Sequence, residues 1–152
     1  MLESIDDQIR VFAANAIDLA GEISLRYFRG LESVETKPDN TPVTVADREI
    51  EQMLRDLIAE RFPDHGICGE EYSTIQSNSP WTWVIDPIDG TKSFATGNPT
   101  FGCLIALLHH GTPCLGIIDM PALHERWLGI EGQASRFNGN TCKTSDKTDL
   151  AQ

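Results

Sequence analysis

The run Trp81-Thr82-Trp83-Val84-Ile85 ends on two carboxylates, Asp86 and Asp89, and Gly90-Thr91 follows at once. The apolar run reads as a buried strand. Strand ends are where reactive side chains tend to be presented. Two acids held there with no base between them repel each other, and a hard divalent cation that takes oxygen ligands cancels the repulsion. The backbone N–H groups of Gly90 and Thr91 can then hold a phosphate beside that cation. Taken alone, Asp86-Pro87-Ile88-Asp89-Gly90 could equally be a tight turn with a helix cap. A calcium helix–loop–helix does not fit, because its twelfth position needs an acid and here is Gly97. Gly90-Thr91-Lys92-Ser93 is not a nucleotide phosphate loop either, since Lys92 follows Thr91 and the glycine required further upstream is missing.

The chain of 152 residues is long enough for one domain with a real core. Its net charge of −11 argues against nucleic acid or an acidic membrane as partner, because no basic patch exists to neutralise phosphates. Most of the acids are expected simply to solvate helix faces. Cys68, Cys103, Cys114 and Cys142 form no C-x-x-C pair and read as buried reduced thiols. His65, His109, His110 and His124 have no metal-ligand spacing and read as non-ligands. No apolar run approaches membrane-spanning length, and the acidic N-terminal residues are unlike a signal peptide. A cytoplasmic protein is expected.

Residues 4–29 read as one amphipathic helix, with Ile5, Ile9, Phe12, Ala16, Leu19, Ile23 and Tyr27 at three- and four-residue steps. Ser4 is its expected N-cap and Gly30 its stop. Residues 34–41 are polar and are expected to form a mobile loop. A second helix is expected over residues 46–61, capped by Thr44 and striped by Ile50, Met53, Leu54, Leu57 and Ile58. Strands are expected over residues 81–85, 101–109, 113–120, 125–130, 134–137 and 141–144. His110-Gly111, Gly132-Gln133 and Asn138-Gly139 mark hairpin turns between them. Helices followed by a run of hairpins predict an α+β fold: two helices packed on a mostly antiparallel sheet. Residues 1–145 are expected to form this domain and residues 146–152 a fraying polar tail.

Upstream of the strand, Gly69-Glu70-Glu71 follows the apolar stretch 66–68, with a polar loop (73–80) between the two acidic motifs. The pair G-E-E and W-V-I-D-P-I-D-G-T closely resembles the inositol monophosphatase family of magnesium-dependent, lithium-sensitive phosphatases. Thr41-Pro42-Val43-Thr44-Val45-Ala46-Asp47, Gly116-Ile117-Ile118-Asp119 and Phe137-Asn138-Gly139 extend the resemblance. Glu125-Arg126-Trp127-Leu128-Gly129 is most similar to the histidinol-phosphatase branch. The resemblance implies the front portion of an αβαβα sandwich. It implies that Asp86 bridges two Mg²⁺ ions, that Glu70 and the Ile88 carbonyl complete the first site, and that Asp89 binds the second. It further implies that Thr91 and Asp47 orient the attacking water and that Asp89, Gly90 and Thr91 hold the substrate phosphate. Asp47 could instead be only a carboxylate favoured by the helix dipole. Lys37 reads more safely as solvated, Glu71 as either a supporting or a surface acid, and Trp127 as packing.

By the same resemblance the substrate is a small phosphate monoester, L-histidinol phosphate first and inositol monophosphate as the alternative, and the protein is a homodimer. The family's second half carries a W-D-x-x-A-type motif whose aspartate completes the second metal site. No acid after Thr91 in this chain follows a tryptophan. The chain alone is therefore expected to fold and bind metal but to be nearly inactive, and to bare an apolar face. A metal- or phosphate-binding fragment without turnover is the rival of another class.

Overall fold

The computed structural model describes residues 6–30, 33–38 and 42–148. Helix α1 spans Asp7–Tyr27 and buries Ala13, Ala16, Ile17 and Ala20. Its N-cap is Asp6, whose carboxylate accepts from the Gln8 N–H at 3.1 Å. The expected cap, Ser4, lies outside the described residues. The helix also ends two residues before Arg29, which adopts φ 63° and cannot continue a right-handed helix. Helix α2 spans Val45–Arg61. Thr44 caps it as expected and closes a reciprocal capping box with Asp47: the Thr44 N–H donates to Asp47 Oδ2 (2.8 Å), and the Asp47 N–H donates to Thr44 Oγ1 (3.4 Å).

The segment expected to be a mobile loop, residues 34–41, contributes β1 (Glu35–Thr36), which pairs antiparallel with β2 (Pro42–Val43) just beyond it. The main sheet follows in chain order: β3 (Gly66–Cys68), β4 (Trp81–Asp89), β5 (Gly102–His109), β6 (Thr112–Met120), β7 (Glu125–Ile130), β8 (Arg136–Phe137) and β9 (Asn140–Thr141). All neighbours are antiparallel except β3 and β4, which run parallel because the long 69–80 connection returns the chain to the same end. A one-turn helix, α3 (Thr91–Ala95), leaves the end of β4. The hairpins at His110-Gly111 and Asn138-Gly139 place both turn residues at positive φ, as two-residue turns demand. Strands β8 and β9 are shorter than expected, and beyond Cys142 the exposed polar residues 143–148 extend to the end of the described chain.

One face of the sheet is dry. Trp83, Ile85, Ile105, Leu107, Leu115 and Ile117 lie beneath α1 and α2, all essentially inaccessible to water. The other face carries Val84, Leu104, Ala106, Ile118 and Trp127 around an apolar depression of about 470 Å³. Ile118 there is 45% exposed, so no described element covers it. Trp127 packs against Phe137 with the rings tilted by 39° and their centroids 4.9 Å apart, a packing role as expected. All four cysteines are free; Cys103 and Cys114 are buried as expected, whereas Cys68 and Cys142 are only half-buried.

The helical layer is pinned by an aromatic cluster. Phe12 meets Phe62 edge-on at 4.9 Å and Trp83 at 5.4 Å. His65 stacks on Phe62 at 4.9 Å and accepts the Trp83 indole N–H on Nδ1 at 3.1 Å. A protonated Nδ1 would set donor against donor, and burial already holds the His65 pKa below its ordinary value despite the opposing charge of Asp64. A depressed histidine pKa contributes stability above the unfolded value of about 6.5 that is lost as pH falls toward the folded value. Thermal melts between pH 8 and pH 5 are expected to show a falling melting temperature on the acid side, and a shallower fall in His65→Gln. Trp83→Ala should cost about 3–5 kcal/mol in denaturant melts, the usual loss for an aromatic deleted from a core.

Candidate functional site

Strand β4 delivers the acids. Its pairing with β5 is regular up to Asp86, opposite Leu104, and resumes at Asp89, opposite Gly102. Three steps on β4 thus face two on β5, a bulge that absorbs Pro87, which has no N–H for the ladder. The sequence reading ended this strand at Ile85; the bulge lets it run on to Asp89. Gly90 then takes φ +84°, and an added Cβ would stand 3.1 Å from the Thr100 carbonyl oxygen. The chain turns there into α3, whose first-turn N–H groups have no partner within the helix.

The environment of Asp86 is unusual. Its Oδ1 is buried without a hydrogen-bond partner among the described residues. Burial, then the nearby Glu70 carboxylate, then Asp89 and Asp47, push its pKa up to about 7. Asp47 responds in the same way: burial raises its pKa, its hydrogen bonds with Thr44 offset part of that, and the charge of Glu70 adds to it. Four sequence-predicted acids thus share one electrostatic neighbourhood. Among the described residues, however, no three His, Cys, Asp or Glu side chains converge closely enough to form a cation cage. Among the described residues, Lys37 brings a cationic side chain into hydrogen-bonding reach of two acids of the loop, Glu70 and Glu71.

Lys37 corrects one expectation. Its side chain is only 17% exposed, and Nζ donates to Glu71 Oε1 at 2.7 Å and to Glu70 Oε1 at 3.2 Å. Burial works against its charge, but the bonds to Glu71 and Glu70 outweigh burial and raise its pKa. Glu71 is the buried member of the pair, its side chain 5% exposed, whereas the Glu70 side chain is 46% exposed. Glu71 is therefore not a surface acid. Ile88 is buried, and its carbonyl accepts the Thr91 hydroxyl at 3.1 Å. The two residues expected to orient the attacking water bond elsewhere in this arrangement: the Thr91 hydroxyl donates to Ile88, and Asp47 Oδ2 accepts the Thr44 hydroxyl at 2.5 Å.

A buried charge pair behind the site escaped the sequence reading. Glu51 and Arg55 follow Asp47 at four-residue steps, so the three line one side of α2 beside the apolar stripe. Glu51 is fully buried, and Arg55 Nε donates to its Oε1 at 2.9 Å. Polar residues at a helical repeat next to Ile50, Leu54 and Ile58 were the available signal.

The donors present are those a hard cation takes: the carboxylates of Glu70, Asp86 and Asp89 and the Ile88 carbonyl. The unpartnered Asp86 Oδ1 is the structural mark that this set fits a cation, since a buried carboxylate oxygen without a partner is costly.

Comparison with known proteins agrees with this geometry. The bifunctional phosphatase IMPL2, chloroplastic, of Arabidopsis thaliana is 43% identical, over 99% of this chain and 45% of its own length. A histidinol-phosphatase of Chlorobaculum parvum is 42% identical over 88% of this chain and 52% of its own. Among solved structures, the Thermotoga maritima IMPase superposes with a TM-score of 0.85 at 33% identity, covering 93% of this chain and 55% of that one. The chain spans about half the length of the relatives it matches. The family model for the inositol monophosphatase family matches residues 5–152. With β4 ending in Asp86 and Asp89 beside a loop that carries Glu70, and with this match over nearly its whole length, the chain belongs to the inositol monophosphatase family.

Proposed function

We propose that this chain is the cation- and phosphate-binding part of a Mg²⁺-dependent phosphoric monoester hydrolase, and that the preferred substrate is L-histidinol phosphate. The observation that carries the reading is the buried, unpartnered Asp86 Oδ1 among the charges of Glu70, Asp89 and Asp47. Glu70, Asp86 and the Ile88 carbonyl would hold one Mg²⁺, and Asp86 with Asp89 a second. Bound there, the cation would lower the pKa of a coordinated water and offset charge on the phosphoryl oxygens. The chain's own groups do the rest. The Gly90 and Thr91 amides bind phosphate oxygens, as the unpartnered start of α3 allows. The Thr91 hydroxyl turns from Ile88 toward Asp47, a buried acceptor, and the pair orients the attacking water.

The choice of L-histidinol phosphate is supported by the Chlorobaculum relative, named a histidinol-phosphatase, and by the motif 125–129. The Thermotoga structure, named an IMPase, supports inositol monophosphate as the alternative. A homodimer belongs to the same proposal, and sedimentation velocity tests it. The second reading, binding without turnover, is favoured by the span of about half a relative's length.

Saturating Mg²⁺ or Mn²⁺ is expected to raise the melting temperature, by about 2.7 kcal/mol of added stability at one hundred times Kd. Asp86→Asn should abolish that rise. In chelator, the sign for the same variant reverses. A folded pKa near 7 against an ordinary 3.8 means that ionising Asp86 destabilises the fold progressively as pH rises through that window. The metal-free Asp86→Asn chain should therefore melt higher than the parent at pH 8, and no higher at pH 3. An unchanged Mg²⁺ response in Asp86→Asn would remove this residue from the site.

In the whole protein, Thr91→Ala and Asp47→Asn should each lower kcat far more than they weaken metal binding. Working as a unit, the double variant should be little worse than either single one. Fully additive losses would separate the two residues. The isolated chain should release phosphate from L-histidinol phosphate far more slowly than about one per second, the low end of ordinary turnover. Turnover at that rate or above would mean that these residues suffice. In the whole protein, a higher kcat/KM for inositol 1-phosphate would overturn the substrate choice.

A further inference from the structure

Glu51 makes more hydrogen bonds than any other acid described, and all of its backbone partners belong to one loop. Its Oε2 accepts the N–H groups of Glu70 (3.0 Å) and Glu71 (2.7 Å), and its Oε1 accepts that of Tyr72 (3.1 Å). Consecutive N–H groups converging on one anion form a nest, the arrangement backbones use to hold a phosphate or a carboxylate. Here the anion belongs to the protein. The carboxylate is fully buried, where an unmatched charge would be prohibitive, and Arg55 balances it from one helical turn away. Arg55 Nη2 also donates to the Tyr72 carbonyl at 3.0 Å, and its guanidinium lies over the Tyr72 ring at 5.6 Å.

The fit leaves no slack. A Cβ added at Gly69 would stand 2.1 Å from Glu51 Oε1 and 2.8 Å from Arg55 Nη2, so only glycine lets the loop settle on the carboxylate. The loop backbone is thereby tied on both sides of Glu70 while the Glu70 side chain remains half-exposed, held only by Lys37 at 3.2 Å among the described residues. The tie comes from α2, the helix that Thr44 caps and that carries Asp47 one turn before Glu51.

We infer that Glu51 is a positioning residue: its buried carboxylate holds the 69–72 backbone so that Glu70 is presented to the cation from the same helix that places Asp47. The inference rests on the reading of Glu70 as a cation ligand. Glu51 touches neither cation nor substrate and acts only through the amides of Glu70, Glu71 and Tyr72. Substitution of such a supporting partner of a ligand typically weakens metal affinity about 10- to 100-fold.

Glu51→Gln tests this, because it keeps the shape but turns one acceptor oxygen into a donor that faces N–H groups. Mn²⁺ binding is measured by calorimetry at 15 °C, well below the melt, on the parent chain, Glu51→Gln and Asp86→Asn. At that temperature a loss of stability alone leaves Kd unchanged in a variant that is still folded by circular dichroism. The expected result is a Kd at least about tenfold weaker in folded Glu51→Gln. A Kd within about threefold of the parent overturns the inference, provided that the parent binds and Asp86→Asn does not. A parent chain that takes up no Mn²⁺ overturns the metal reading, and the inference falls with it. Should Glu51→Gln fail to fold, hydrogen exchange on the parent decides. The Glu71 and Tyr72 amides should be protected like those of β4, and exchange as fast as that of Ser73 and Thr74 would overturn the nest.

Discussion

Like charges gathered in a half-dry corner set the terms for this molecule. Asp86 lies near the end of β4 with one oxygen buried and unpartnered, and the charges of Glu70, Asp89 and Asp47 bear on it. Such a corner is unstable by itself. Either the carboxylates take up protons, which the upward shifts of Asp86 and Asp47 express, or they take a cation. Lys37 does part of this work by neutralising Glu70 and Glu71, and it does so from the small β1–β2 ribbon, outside the main sheet.

The rest of the architecture keeps that corner in being. Trp83 and Ile85 anchor β4 beneath the two helices, so Asp86 follows directly on a rigid element. The bulge over Pro87 and Ile88 then re-aims the strand and leaves the Ile88 carbonyl facing Thr91. Helix α2 contributes twice from one face. Its capping box ties Asp47 to Thr44, and one turn later Glu51 grips the loop that carries Glu70. A single helix therefore sets the distance between two acids that lie far apart in sequence.

The sheet is finished on one side only. Beneath α1 and α2 it is a closed core, whereas Val84, Leu104, Ala106, Ile118 and Trp127 form an apolar surface on the other side among the described residues. Asp86 borders that surface too. The site thus stands at the junction of a completed layer and an open one, which agrees with a chain that spans about half of its relatives' length.

Local patterns were legible in the sequence because local physics writes them. The three- and four-residue spacing of Ile50, Leu54 and Ile58, the Thr44 cap, the Asn138-Gly139 turn and the strand ending in Asp86 and Asp89 each depend on near neighbours. Motif resemblance then named Glu70, Asp86, Ile88, Asp89, Gly90, Thr91 and Asp47 as one site. What sequence alone could not give depended on groups brought together from a distance. Lys37 looked solvated because nothing near it in sequence is its partner; Glu70 and Glu71 become so only when the ribbon folds beside the 69–72 loop. Strand β4 looked finished at Ile85 because a proline ends most strands; only the register against β5 makes room for a bulge. Glu51 looked like one more solvated helix acid, since its partners are backbone N–H groups, which no side-chain pattern records. Sequence by itself determined which elements form and which acids can meet. Tertiary structure decided which charges are buried together and what balances them, because desolvation and charge repulsion are properties of a place in the fold rather than of a residue.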